Sequence, residues 1–422
     1  MTSAPALLTS SPPESSRALP RTFGRYKLFD FVGKGGMAEI YLARAETALG
    51  AARLCVVKQI IAEFAEHPEF AEMLIHEAKL AAKLSHANIV QVFDLGREAG
   101  QLYIAMEYVE GMDLNALLRR CSQTKTALPV EFALRIVADT LKGLDYAHRA
   151  KDDDGRPLGI VHRDVSPSNV LISLEGEVKL CDFGIAHAND VVASSAPQVD
   201  EAIKGKAGYM SPEHARGEPI DARSDVFAVG IVLWELLSGR RLYKIEPGRP
   251  ALLEQARRAE IPAIPLKGLP DEDKLHALVM RALAPKKEQR YGSAALMLRD
   301  LENHLATAKF ASSPLKLGEW MIDRFGSATL QQRRAREQIV TEPPREATPS
   351  PSPSPSPNPL PKAIPTPNSY ERQSVALGTV DLGPPSSAVL DDTPPPRSRA
   401  KYVVLALVLA IAGIAGWFAM AR

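Results

Sequence analysis

Alternating hydrophobic and polar residues mark the first quarter of the chain, and longer runs with helical spacing follow them. The alternation predicts short β-strands over Tyr26–Val32, Ile40–Ala45, Leu54–Ile60, Ile89–Leu95 and Leu102–Tyr108. Helical spacing predicts Phe70–Leu84, and after Gly111 also Leu114–Cys121, Pro129–Arg149, Ser224–Leu237, Asp273–Ala284 and Ser293–Ala306. Strands first and helices afterwards are typical of an α+β fold with two unequal lobes, and not of a βαβ repeat.

Composition divides the 422 residues into four regions. We expect a flexible leader over 1–25, a globular domain over 26–305 with a helical extension to 325, a disordered linker over 326–401 and an apolar segment over 402–421. The linker has eleven prolines between 343 and 367, mostly in Ser-Pro repeats, which favour extended polyproline II and cannot bury a core. These repeats are a candidate binding site for partner proteins.

The C-terminal segment Val403–Ala421 contains no charged residue and predicts one transmembrane helix. Arg397, Arg399 and Lys401 precede it and only Arg422 follows, so we expect the globular domain on the cytoplasmic side and the lipid bilayer as a partner. With one residue beyond the span, no extracellular sensor is expected. The balance of 51 basic and 50 acidic residues argues against nucleic acid as a partner.

Two motifs carry the candidate chemistry. His162-Arg163-Asp164-Val165-Ser166-Pro167-Ser168-Asn169 is followed by Asp182-Phe183-Gly184. The pair supplies one carboxylate to accept a hydroxyl proton, and an amide with a second carboxylate to bind Mg²⁺ on a nucleotide. Their order and spacing resemble the catalytic and metal loops of protein kinases, and Tyr209-Met210-Ser211-Pro212-Glu213 resembles the segment that closes the kinase activation loop.

The resemblance implies a two-lobed protein kinase fold, with a small β-rich N-lobe and a larger helical C-lobe, and a role for each motif residue. Lys58 would contact the α- and β-phosphates of ATP, and Glu77 would orient it. Asp164 would accept the substrate proton, while Asn169 and Asp182 would coordinate Mg²⁺, with Mn²⁺ as the alternative cation.

The same resemblance implies the nucleotide contacts. The main chain of Glu107 and Val109 would hold adenine, and Asp113 would either bind ribose or cap a helix. A glycine-rich turn would cover the phosphates, and its residues are Val32, Gly33, Lys34, Gly35, Gly36, Met37, Ala38, Glu39 and Ile40. Ala38 stands where the family has its third glycine. Two structural roles also follow: a buried Glu213–Arg290 pair, and Asp225 as a cap of the catalytic loop.

One departure from the family pattern concerns the γ-phosphate. Serine/threonine kinases usually carry lysine at the position of Ser166 and threonine at the position of Lys206. We expect that the two residue types are exchanged, so that Lys206 supplies the charge and Ser166 the hydroxyl; the alternative is that Lys206 is a solvated loop charge. Ser166-Pro167, Gly205-Lys206 and the insert Lys151–Leu158, expected to form an exposed acidic hairpin, resemble bacterial kinases of the myxobacterial type.

The predicted function is transfer of the ATP γ-phosphoryl group to serine or threonine hydroxyls of protein substrates in membrane-associated signalling. Autophosphorylation is expected at Ser194 or Ser195, with Arg163 as the partner of the phosphate; Asp200 or Glu201 is the alternative source of negative charge. The rival interpretation, favoured by Ala38 and Ser166, is a pseudokinase that acts as a membrane-tethered scaffold. A small-molecule phosphotransferase is disfavoured by the Tyr209–Glu213 segment.

Overall fold

A computed structural model describes residues 19–35, 37–46, 52–65, 68–183, 207–243, 249–310 and 312–341. The predicted membrane segment and most of the predicted linker lie outside these residues. Within them, no helix combines the length and the apolar character needed to cross a bilayer.

A six-stranded antiparallel sheet forms the small lobe, in the order β1-β2-β3-β4-β6-β5. Its strands are β1 Arg21–Phe23, β2 Tyr26–Lys34, β3 Ala38–Glu46, β4 Ala52–Ile60, β5 Val92–Glu98 and β6 Gln101–Glu107. Two helices, α1 Ala62–Ala65 and α2 Pro68–Ala82, connect β4 to β5. Phe70, Leu74 and Ala78 of α2 are buried in the core of this lobe.

Helices make up most of the large lobe. They are α3 Leu114–Thr124, α4 Val130–His148, α5 Pro212–Arg216, α6 Ala222–Ser238, α7 Arg249–Arg258, α8 Glu272–Ala282, α9 Ala294–Thr307 and α10 Pro314–Thr341. A three-stranded sheet of β7 Gly111–Asp113, β8 Val170–Ser173 and β9 Val178–Leu180 completes it. Helix α6 packs against α4, α8 and α9. Its side chains are buried nearly all round, as expected of a helix at the centre of a core.

The two-lobed architecture and the predicted order of strands and helices are confirmed. Strands β7 to β9 and helix α1 were not predicted, and four further details differ. Strand β1 lies inside the predicted leader 1–25 and pairs with β2, which follows the leader. Helix α10 continues to Thr341, past the predicted start of the linker at 326. Pro129 precedes α4 as its N-cap residue, outside the first turn. Helices α5 and α7 lie where the pattern predicts none, because one is too short and the other too polar to show a helical repeat.

Two predicted local features are confirmed. The insert Lys151–Leu158 is a hairpin, in which the Asp152 N–H donates to the Arg156 carbonyl at 2.9 Å. The pair of Glu213 and Arg290 is buried, with two hydrogen bonds of 2.7 Å. Arg290 also donates to the carbonyls of Ala284 and Pro285, so its fork joins α5 to the turn before α9. A bidentate pair of this kind is the stronger class of ion pair.

We expect Glu213→Gln to lower the free energy of unfolding by about 3–5 kcal/mol, because the guanidinium of Arg290 would be left buried without its counter-charge. Urea unfolding of the variant and the parent chain measures this difference. Asp154→Asn, on the exposed hairpin, is the control.

The effect should depend on pH. Burial by itself raises the pKa of Glu213, but hydrogen bonds from Arg290 and Ser224 outweigh burial and lower the pKa to about 2. The unfolded chain has an ordinary glutamate pKa of about 4.3. The contribution of the Glu213 carboxylate to the free energy of unfolding is therefore complete above that pKa and is lost as the pH falls toward 2. The stabilities of the parent chain and of Glu213→Gln should then converge in acid. A difference that stays constant down to pH 2.5 contradicts the assignment.

Candidate active site

The glycine-rich turn joins β2 to β3 as a hairpin, in which Gly33 pairs with Ile40 and Lys34 with Glu39. The Gly35 N–H closes it on the Ala38 carbonyl at 2.8 Å. A side chain at Gly33 would meet no atom within 4 Å, so the space beside this backbone is open. Ala38, at the position of the family's third glycine, is 2% exposed and belongs to the small-lobe core. Gly36 lies outside the described residues.

Lys58 on β4 is brought to Asp182, which follows β9. The Lys58 Nζ lies 2.9 Å from the Asp182 Oδ1, and the lysine side chain is 11% exposed. A nearly buried ammonium is tolerated only beside a counter-charge, which Asp182 supplies. Because β4 belongs to the small lobe and β9 to the large lobe, the pair connects the two lobes. Glu77 is buried on α2. Its predicted role in orienting Lys58 stays a prediction.

The catalytic loop is closed by the side chain of Asn169. Its Nδ2 donates to the main-chain carbonyl of Asp164 at 2.7 Å and to the Asp164 Oδ2 at 2.9 Å. Both residues are less than a tenth exposed. Because the amide nitrogen is used within the loop, its oxygen is the atom of Asn169 that can serve a cation.

The main chain of this loop is held by Asp225 of α6. Its Oδ2 accepts from the His162 N–H at 2.8 Å and its Oδ1 from the Arg163 N–H at 2.9 Å. Arg163 has φ 66°, a left-handed conformation that costs an ordinary residue about 1–2 kcal/mol. Burial opposes ionisation of Asp225, but the hydrogen bond from His148 at 2.7 Å helps to lower its pKa. The predicted capping role of Asp225 is confirmed.

His162 connects the catalytic loop to the metal loop. It is fully buried, and burial lowers its pKa, so the ring is neutral. Its Nε2–H donates to the Cys181 carbonyl at 2.9 Å, and its Nδ1 accepts from the Asp164 N–H at 3.2 Å. The ring also packs on Phe183 with centroids 4.5 Å apart. Asp182, at φ 62°, is the second left-handed residue of the site.

The residues present fit a magnesium site. Asn169 supplies an amide oxygen and Asp182 a carboxylate, and the Cys181 N–H to Asn169 carbonyl bond of 2.9 Å keeps their backbones adjacent. Mg²⁺ prefers oxygen ligands and is usually held by one or two protein groups together with substrate phosphates. In the described part of the chain, no cluster of three or more His, Cys, Asp or Glu side chains forms a self-sufficient metal cage.

The remaining predicted residues fall into four groups. Asp113 accepts from the Ala116 N–H at 2.8 Å, which confirms the helix-cap alternative and leaves the ribose contact a prediction. Glu107 ends β6, and Val109 follows it in the connection to the large lobe. Ser166 is 2% exposed and its hydroxyl lies 3.0 Å from that of Ser168. Lys206, Ser194 and Ser195 lie outside the described residues.

The segment after the activation loop is anchored to α6. The Tyr209 hydroxyl donates to Glu235 at 2.8 Å, and Arg241 donates to both residues. Burial raises the pKa of Glu235 to about 7. Neither Glu235 nor Arg241 is predicted from the sequence. Glu235 could have been identified as the one glutamate within the apolar repeat of α6.

The comparisons with known proteins agree with this geometry. Residues 26–300 match the family described as the protein kinase domain. Tyrosine-protein kinase MasK of Myxococcus xanthus is 38% identical over 317 residues, which are 75% of this chain and 48% of that protein. Serine/threonine-protein kinase PknB of Mycobacterium leprae is 39% identical over 286 residues, 67% of this chain and 43% of that protein. The chain thus spans less than half the length of these curated relatives.

A solved structure is similar as well. The kinase domain of Mycobacterium tuberculosis PknI superposes with a TM-score of 0.52 at 28% identity, and the match covers 68% of this chain and 99% of that one.

We expect Asp225→Asn to reduce kcat by about 10- to 100-fold, because one amide of the catalytic loop would then face an NH₂ group and the carboxylate of Asp164, the predicted proton acceptor, would move. The KM for ATP should change less than kcat, since the predicted nucleotide contacts lie elsewhere. Steady-state phosphorylation kinetics measure both constants, with thermal unfolding to show that the variant is folded. Unchanged kcat in a folded variant contradicts this role.

Proposed function

Because the chain belongs to the protein kinase family, we propose that it transfers the γ-phosphoryl group of ATP to serine or threonine hydroxyls of protein substrates. The observation that carries the proposal is the convergence of Asp164 and Asn169, from one loop, with Asp182, which follows β9, and Lys58 of β4. The curated relatives divide by name between serine/threonine and tyrosine kinases, and the matches to PknB favour the first class.

Each side chain has a task in this transfer. Asp164 accepts the hydroxyl proton of the substrate as the oxygen attacks phosphorus, and the hydrogen bond from Asn169 holds its carboxylate in place. Lys58 neutralises charge on the α- and β-phosphates. Asn169 and Asp182 would hold Mg²⁺, which supplies further neutralisation when bound. The glycine-rich turn excludes water from the phosphates.

The decisive experiment incubates the purified chain with labelled ATP, Mg²⁺ and a generic protein substrate, beside Asp164→Asn. We expect phosphate on serine and threonine, and a loss of at least about 100-fold in rate for the variant. Phosphoamino-acid analysis separates serine and threonine from tyrosine. Nucleotide binding without any transfer would favour the scaffold, an interpretation that the assembled set of Lys58, Asp164, Asn169 and Asp182 opposes.

We propose that Lys206 takes the place of the usual catalytic-loop lysine, with Ser166 supplying the hydroxyl. Ser166 is buried within the catalytic loop, which suits a hydroxyl that serves the site and not the solvent. Lys206→Met should lower kcat by about tenfold or more, because a full charge at the γ-phosphate is lost. Lys204→Met, two residues away, is the matched control. A Lys206→Met enzyme with the parent rate refutes the exchange.

We further propose that Val403–Ala421 anchors the protein in the cell membrane with the kinase domain in the cytoplasm, and that the chain is of the myxobacterial type. The apolar sequence, the preceding basic residues and the identity with the Myxococcus relative support this. Flotation with phospholipid vesicles should retain the chain through an alkaline carbonate wash, and Ile411→Arg/Ile414→Arg should release it. Release of the parent chain by carbonate contradicts the anchor.

A further inference from the structure

Lys179, on β9, has no part in the chemistry described above, although its side chain is only 12% exposed. Its Nζ lies 2.9 Å from the Oε1 of Glu107, at the end of β6. The two residues belong to different sheets, one in each lobe. A lysine buried to this extent is retained only with a counter-charge, so the ion pair ties the start of the interlobe connection to the large lobe.

Glu107 is held at three points. Its N–H donates to the Gln91 carbonyl at 2.8 Å, its Oε2 accepts from the Gln91 N–H at 3.2 Å, and its Oε1 receives Lys179. Both carboxylate oxygens are therefore used by the protein. The side chain of Glu107 orients its own backbone and is not directed to a ligand.

Strand β9 is itself a rigid support. The Leu180 N–H donates to the Asn88 carbonyl and the Val90 N–H to the Leu180 carbonyl, both at 2.9 Å, and the Asn88 side chain donates to Val178 at 2.9 Å. Three residues after Lys179 the same strand delivers Asp182. The ion pair thus relates the backbone at Glu107 to the strand that positions the metal-binding carboxylate.

We propose that Lys179 is a positioning residue for the adenine base of ATP: through Glu107 it fixes the backbone that accepts the exocyclic amino group. This inference rests on the proposed function, in which the main chain of Glu107 contacts adenine. It predicts that loss of Lys179 weakens nucleotide binding only when the purine base carries the exocyclic amino group. A nucleotide without the amino group makes no use of that carbonyl and is indifferent to its placement.

The experiment compares full-length parent, Lys179→Met and Lys179→Arg with ATP and with purine riboside triphosphate, which lacks the amino group. Lys179→Met should raise the KM for ATP about three- to tenfold, leave kcat within about twofold, and leave the KM for the analogue unchanged. Lys179→Arg, which keeps the charge, should restore most of the affinity for ATP. Lys274→Met, which removes an exposed lysine paired with Asp271, is the control.

Direct binding of both nucleotides, followed by competition with a fluorescent ATP analogue, gives a readout that does not require turnover. It separates failure of this inference from failure of the proposed function. In a double-mutant cycle, adding Glu107→Gln to Lys179→Met should weaken ATP binding little further, because either change breaks the same ion pair. Equal weakening of both nucleotides, a fall in kcat with unchanged KM, or additive variants would each overturn the inference.

Discussion

The carboxylate of Asp225 is the group on which the active site depends. Arg163 lies in a left-handed conformation, and the consecutive N–H groups of His162 and Arg163 donate to a side chain and not to a main-chain carbonyl. One buried carboxylate on the central helix accepts from both amides and from His148. An ionised carboxylate has enough acceptor sites for all three donors, so the strained loop is held by a charged group on the buried central helix.

Hydrogen bonds within the large lobe and an ion pair between the lobes position the remaining residues of the site relative to this loop. Asn169 closes the loop on Asp164, His162 joins it to Cys181, and Asp182 then meets Lys58 of the opposite lobe. A second interlobe ion pair joins Lys179, within β9, to Glu107. Lys179 and Asp182 are three residues apart, so the proposed phosphate and base contacts of the nucleotide share one segment as their support.

Much of this arrangement could be predicted from the sequence, since the motifs lie in continuous segments with regular spacing. The strands β2, β3, β4 and β6, the helices with a clear apolar repeat, and the partners of Glu213 and Asp225 are confirmed, while β5 begins and ends three residues after its predicted bounds. The elements and contacts that could not be predicted each have a physical reason. Strand β1 is three residues long and too short to show alternation. The same holds for β7, β8 and β9, which have three, four and three residues, and β7 pairs with β8 from a distant part of the chain. Likewise, a lysine between two buried residues of a strand does not reveal which carboxylate it meets.

The sequence by itself determined the family and the order of the main elements and indicated the candidate residues for chemistry, because each of these depends on residue type and on spacing along the chain. Only the tertiary structure decided which atoms meet: the pairing of Lys58 with Asp182, the neutral state of His162, the left-handed backbone at Arg163 and Asp182, and the link from Lys179 to Glu107. These features depend on distances and burial, which arise only when segments remote in the chain pack together and remove water from their polar groups.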